Sequence, residues 1–233
     1  MVPPIFLPHL AYVEIDSLMF LPTLIISLAF RVRRNYRALL VSLLLVSPLY
    51  ISWDFVATAM DSWGFNRAWI LDVYVLDLPL EEVLFFFVTP FATLLIYDFL
   101  NQVRKDSEVK WLNSKMFYVL SIILVISAFL FYQYSYTSVV LLYLASSFIL
   151  AEVLDRDMLS SSNYWIFIGL SFIPFLVFDY FLTSIPVVVY GPHSILGMRI
   201  LTIPPEDALY SLSMMNFYTL VYRRAGATWI ART

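Results

Sequence analysis

Two short acidic motifs carry the most chemistry in this 233-residue chain: Pro79-Leu80-Glu81-Glu82 and Pro204-Pro205-Glu206-Asp207. Proline suits a first helical turn, and acids there meet exposed backbone N–H groups, so both motifs read as helix starts. Capping explains the second acid of each pair, Glu82 and Asp207, as well as chemistry does. Glu81 and Glu206 ask for more, because each has an aspartate 27 residues upstream, Asp54 and Asp179, inside another apolar segment. An ionised Asp at bilayer depth costs about 2.5–3.5 kcal/mol, so a partner or a task is expected. Thr58 and Thr183, one turn from each Asp, are the simplest partners and candidate lining residues. If the acids converge, four to six carboxyls in one low-dielectric pocket cannot all ionise. A carboxyl that keeps its proton in an apolar, aromatic-lined site is an acid for an unreactive apolar substrate. Phe85 and Tyr210, one turn beyond the first acid of each pair, are candidates to line that site and to stabilise a cation. On this face argument Glu81 and Glu206 carry the proton. Glu82 and Asp207, about 100° round the helix, cap or partner.

The elements that position these residues are membrane spans. Apolar residues make up 61% and charged residues 13%, against roughly 45–50% and about 25% in soluble domains. The mean hydropathy is +0.82. Such a chain has too little polar surface to cover a core in water. Seven apolar runs are long enough to cross: about 9–30, 38–60, 79–100, 115–133, 136–153, 163–185 and 204–222, the fifth being the shortest. Pro22, Pro48, Pro174 and Pro186 fall in or near them, which embedded helices tolerate when neighbours satisfy the freed carbonyls. Trp53, Trp63, Trp69, Trp111, Tyr132, Tyr134 and Tyr136 read as interface anchors near span ends, as do Tyr97 and Tyr222. No Lys or Arg precedes Arg31, so the first span lacks a signal peptide's basic region and is expected to stay. With the N-terminus outside and the C-terminus cytoplasmic, 12 of the 14 basic residues lie inside, Arg31 and Arg232 among them, leaving Arg67 and Arg199 outside. All six acids then fall toward the outer half of an integral cell membrane.

The chain also repeats itself. An offset of 125 residues aligns 54–97 with 179–222 without gaps, matching Asp54 with Asp179, Pro79 with Pro204, Glu81 with Glu206 and, conservatively, Glu82 with Asp207. The first and fifth spans align poorly at this offset. Four spans separate equivalent elements, so the two halves run the same way through the membrane as parallel repeats. The expected fold is all-α: a polytopic membrane protein of about seven transmembrane helices, in two parallel three-helix repeats. The first repeat covers 1–105, a linking span 106–134 and the second repeat 135–233.

Other chemistries lack their signatures. The chain has no cysteine, no glycine-rich nucleotide loop and no paired-histidine zinc motif, so no cofactor and no metal are expected. His9 and His193 are isolated, and a net charge of −3 does not suggest nucleic acid.

Duplicated P-x-E-[ED] motifs opening spans, each with an upstream aspartate span, resemble the lycopene cyclases of the heterodimeric and fused membrane type. The resemblance covers almost the whole chain and is carried by Pro79–Glu82 and Pro204–Asp207. It is nearest to the fused archaeal form. It implies a redox-neutral cyclisation: a carboxylic acid protonates the terminal double bond of lycopene, the neighbouring double bond attacks the cation to close a ring, and a carboxylate removes a ring proton. The implied product is β-carotene via γ-carotene, the partners are lycopene and membrane lipid, and other carotenoid enzymes become candidate associates. The transferred site is Glu81, Glu82, Glu206 and Asp207, to which the repeat adds Asp54 and Asp179.

Three other readings use the same acids. A carotenoid hydratase would capture the cation with water. A membrane transferase acting on prenyl diphosphates would hold Mg²⁺ on acid clusters, but the outer side offers only Arg67 and Arg199 for phosphate, and Asp61, Asp72 and Asp77 are scattered. A proton-coupled transporter would use Asp54 and Asp179 as intramembrane acids.

Overall fold

The computed structural model describes residues 6–30 and 32–226; Arg31 and Arg232, placed on the inner side above, lie outside the described residues. Among the described residues seven long helices and one short one make up the bundle: α1 (Ala11–Ala29), α2 (Tyr36–Ala59), α3 (Leu80–Val103), α4 (Ser114–Leu130), α5 (Ser135–Leu154), α6 (Arg156–Ser160), α7 (Ser162–Ser184) and α8 (Pro205–Arg224). Side chains start three of them. Asn35 Oδ1 accepts from Ala38 N (3.0 Å), Asn113 Oδ1 from Met116 N (3.2 Å) and Ser161 Oγ from Tyr164 N (3.0 Å), each satisfying an orphan first-turn donor.

Five of the helices, α1, α2, α3, α5 and α7, are long and apolar enough to cross a membrane, and α4 is a shorter apolar helix. The seventh expected span, α8, is different. It is 20 residues long but carries Ser211, Ser213, Asn216 and Thr219 on buried faces. Other helices surround it, so it meets protein instead of lipid and can be polar. Asn216 accepts a hydrogen bond from Tyr164 and donates one to Ser147 Oγ (2.8 Å).

The repeat is written into the element boundaries. At an offset of 125, α2 and α7 end together, α3 and α8 begin together, and strand β1 (Trp63–Phe65) falls on β4 (Val188–Tyr190). These two strands pair antiparallel, with Gly64 opposite its own counterpart Val189, so a pseudo-twofold axis passes between them. Two further two-residue strands, β2 (Tyr74–Val75) and β3 (Leu78–Pro79), form a hairpin leading into α3. Beyond the second strand Gly191 runs under Asp61, where a Cβ would come within 1.9 Å of the Asp61 carbonyl oxygen; no larger residue fits. The halves interlock, because α2 packs along α8 and α7 along α3.

Prolines are absorbed as expected of embedded helices. Pro90 in α3 cannot donate to Phe86 O four residues earlier, and that carbonyl is taken instead by Ser47 Oγ of α2 (2.9 Å) and Tyr218 Oη of α8 (2.8 Å). Several aromatic residues expected at the interface are interior. Trp111 and Tyr132 are exposed, but Trp63, Tyr136, Tyr97 and Tyr222 are buried. The last two are tied to charges at the end of the bundle away from the acid motifs. Tyr222 Oη donates to Asp98 Oδ1 (2.9 Å) and Arg223 Nη1 donates to Tyr97 Oη (2.8 Å). Asp98 and Arg223 are repeat-equivalent with opposite charge, and each has its own counter-ion, Arg34 (3.1 Å) and Asp155 (2.6 Å).

Candidate active site

Both acid motifs open their helices at one end of the bundle, where α1 and α5 also begin. The two acids of each pair part company there. Glu81 Oε1 accepts from the backbone N of Leu71 (2.6 Å), and its equivalent Glu206 Oε1 from Leu196 N (2.8 Å). Thr137 Oγ1 donates to the same Glu206 oxygen (2.6 Å). The first acids thus hold the preceding loops against the helix starts. The second acids turn inward.

Glu82 Oε2 accepts from Tyr12 Oη (2.5 Å), and the carboxyl of Asp54 meets that of Glu82. Asp54 is 1% exposed and has no hydrogen-bond donor on either oxygen. Asp16, one turn along α1 from Tyr12, is also buried without a donor, but it does not line the cavity. The Tyr210 hydroxyl, otherwise unpartnered, approaches Asp54 from the other repeat.

In the second repeat Asp207 accepts from Tyr136 Oη (2.8 Å) on one oxygen and Tyr190 Oη (2.5 Å) on the other, while Asp179 meets Asp207 as Asp54 meets Glu82. The tyrosines are repeat-related too. Tyr12 stacks on Phe65 (6.5 Å between centroids) and Tyr136 on Tyr190 (5.9 Å), with Phe65 and Tyr190 equivalent positions of β1 and β4. The two centres share a plan but differ in donors. The first has three carboxyls and one bonded hydroxyl; the second has two carboxyls and two.

Asp54, Glu82, Asp179 and Asp207 all line one cavity of about 710 Å³, together with Phe85 and Tyr210. From the acids it runs between α1, α3 and α7 past Met19, Thr89, Ala92 and Thr93 to Phe30 and Phe99. Leu18, Ile26, Phe30 and Phe99 are exposed at its rim, so it opens where a bundle of this composition meets lipid.

Two expectations are revised here. The faces of the acid motifs are reversed, because Glu81 and Glu206 bend back to backbone donors in the preceding loops while Glu82 and Asp207 line the cavity. Thr58 and Thr183 do not line it: the Thr58 hydroxyl is buried without a partner, and Thr183 Oγ1 donates to the Asp179 backbone carbonyl (2.8 Å), not the carboxyl. Tyr12, Asp16 and Tyr136 were not anticipated at the site, Tyr136 being expected as an interface anchor. A signal existed for two. An offset of 124, one less than that of the later spans, superposes Tyr12 on Tyr136 and the first residue of α1 on the first of α5.

The fold and site define a duplicated membrane-type helical bundle in which two repeat-related carboxyl pairs line one largely apolar cavity. The lycopene cyclase family model matches residues 9–100 and 133–225, and the chain belongs to that family. The matched segments are the two repeats and leave out the stretch that carries α4. No curated protein and no solved structure matches the chain. Family membership implies carotenoid cyclisation and a carotenoid substrate.

Proposed function

We propose that the protein closes β-ionone rings on the linear ends of lycopene, giving β-carotene by way of γ-carotene, as a single-chain enzyme of the fused type. The observation that carries this reading is the pair of carboxyl couples facing a cavity that is otherwise free of charge and mostly apolar. Two carboxyls side by side cannot both be ionised in a dry site, and among the described residues no cation stands beside the first couple, so that couple retains a transferable proton; beside the second, Arg199 lies over the Tyr190 ring (5.3 Å). The first couple is poor in donors, which favours its acid form; Asp54 and Glu82 deliver the proton to the terminal double bond. The neighbouring double bond then attacks the tertiary cation and forms the ring bond. Tyr210 and Phe85 present aromatic surface to that cation. Asp207, accepting from Tyr136 and Tyr190, is supported as a carboxylate, and it takes the ring proton whose loss leaves the new double bond. One proton enters and one leaves. Oxidation state is unchanged, so no redox cofactor is required.

The N-terminus lies outside and the C-terminus in the cytoplasm, with the acid end toward the outer leaflet. The supporting observation is the basic residues at the other end, Arg33, Arg37, Arg104, Lys105 and Arg224 among them. The test is pigment analysis of a lycopene-accumulating host expressing the chain. Ring-bearing carotenes are expected, and purified protein in lipid should form them in the presence of a chelator without added flavin or nicotinamide. Unchanged lycopene at good expression overturns the reading, and a hydroxylated acyclic product identifies a hydratase.

A further inference from the structure

Two pseudo-equivalent acid centres would lead one to expect two polyene channels, one per repeat. Only one is open. Its middle is lined by Met19, Ala92 and Thr93. At the repeat-equivalent positions stand Tyr143, Phe217 and Tyr218, and these pack with Tyr50 into a solid aromatic cluster. Ring centroids lie 5.3 Å apart for Tyr50–Tyr143, 6.2 Å for Tyr50–Phe217 and 6.4 Å for Tyr143–Phe217. The cluster is anchored, not merely wedged. Tyr50 Oη and Ser213 Oγ are 2.9 Å apart, and Tyr218 Oη donates to the Phe86 backbone carbonyl (2.8 Å), so this is packed core and not a swinging gate.

The open channel is also long. From Glu82 to Phe99 the helix advances about 25 Å at 1.5 Å per residue, most of the roughly 30 Å hydrocarbon thickness. All four cavity-lining acids sit at one end of it. A conjugated polyene is stiff, so when one end reaches the acids the other points away along the channel.

We propose that the protein holds one polyene at a time in the α1–α3–α7 channel, and that the two ends are cyclised in separate binding events. The one-ringed product leaves through the lipid-facing rim and re-enters with its open end first. Ala92 and Thr93 keep the channel passable, and the Tyr50–Tyr143–Phe217–Tyr218 cluster closes its counterpart. This rests on the cyclase reading, since it takes the linear polyene as occupant.

The experiment uses the full chain in lipid nanodiscs. Polyene binding is titrated for stoichiometry, and a turnover run on isotopically labelled lycopene is chased midway with a large excess of unlabelled lycopene. One polyene per chain is expected, with label trapped as the one-ringed product after the chase. Ala92→Phe and Thr93→Phe, each at unchanged melting temperature, should weaken polyene binding at least tenfold. Two polyenes per chain, or label passing through the chase into two-ringed product, overturns the single channel. If one polyene binds, both substitutions abolish that binding and no ring forms, the cyclase reading fails while the channel stands.

Discussion

Asp54 and Glu82 are the residues on which activity should depend most. A buried carboxyl with no donor other than a second carboxyl is costly unless a proton stays with the pair, and that proton is available to a substrate in the cavity. General acids contribute typically 10²–10⁴-fold. We therefore expect Glu82→Gln or Asp54→Asn to lower ring closure by about 10²-fold or more, with polyene binding within a few-fold of wild type. Both are measured on purified protein in lipid. Glu81→Gln should behave differently, since a glutamine oxygen still accepts from Leu71 N, now 2.6 Å from Glu81 Oε1. Its turnover should stay within a few-fold of wild type. Loss of activity in Glu81→Gln with full activity in Glu82→Gln would place the acid on the other face. On the accepting side, Tyr190→Phe removes one of the two hydroxyls on Asp207 and should slow ring closure, by about 10-fold on the scale of one charge-assisted hydrogen bond.

Among the elements, α8 is the one whose role departs most from its sequence. Hydropathy alone argues against it as a span, yet it is the most enclosed helix of the bundle, and neighbouring helices supply partners for Asn216 and Tyr218. Asn216 links Tyr164 of α7 to Ser147 of α5, joining three helices of one repeat. Asn216→Leu leaves the buried Tyr164 hydroxyl unpaired, at a cost of about 1–3 kcal/mol, while Ser147 Oγ keeps its bond to Leu144 O (2.8 Å). The expected outcome is a lower melting temperature in detergent with near-normal turnover of the protein that remains folded. An unchanged melting temperature would mean that water or another side chain takes over the bond from Tyr164. The swapped charges at the other end of α3 and α8 follow the same logic: Asp98 with Arg34 and Arg223 with Asp155 place one ion pair in each repeat with the sign reversed, so what is repeated is the pairing and not the residue type.

For the whole molecule, the interlocking of repeats has a direct consequence. Because α2 packs on α8 and α7 on α3, each half leaves helix faces that the other covers, and the cavity takes acids from both. Residues 1–105 and 106–233, expressed as two chains, should reassemble in the membrane and recover part of the activity, read as ring-bearing pigment in a lycopene-accumulating host. Each fragment alone should be inactive. The break falls between α3 and α4, outside both matched family segments. Full activity from either fragment would refute a composite site.

The membrane class, the helical spans, the parallel repeat and the place of the two acid motifs at helix starts were all legible in the sequence. They follow from properties that are local or periodic: apolar run length, scarce acids in a greasy chain, and prolines at helix starts. What needed the tertiary structure was everything set by rotation about a helix axis or by contact across the bundle. A residue step of 100° decides whether Glu81 or Glu82 faces the cavity, and the loop donors Leu71 N and Leu196 N made that choice. Tyr12 and Tyr136 belong to helices whose repeat offset differs by one residue, which hid them from a gapless alignment. That one groove is open and its twin filled rests on Ala92 and Thr93 against Phe217 and Tyr218, side chains that all read as ordinary span residues until the helices pack.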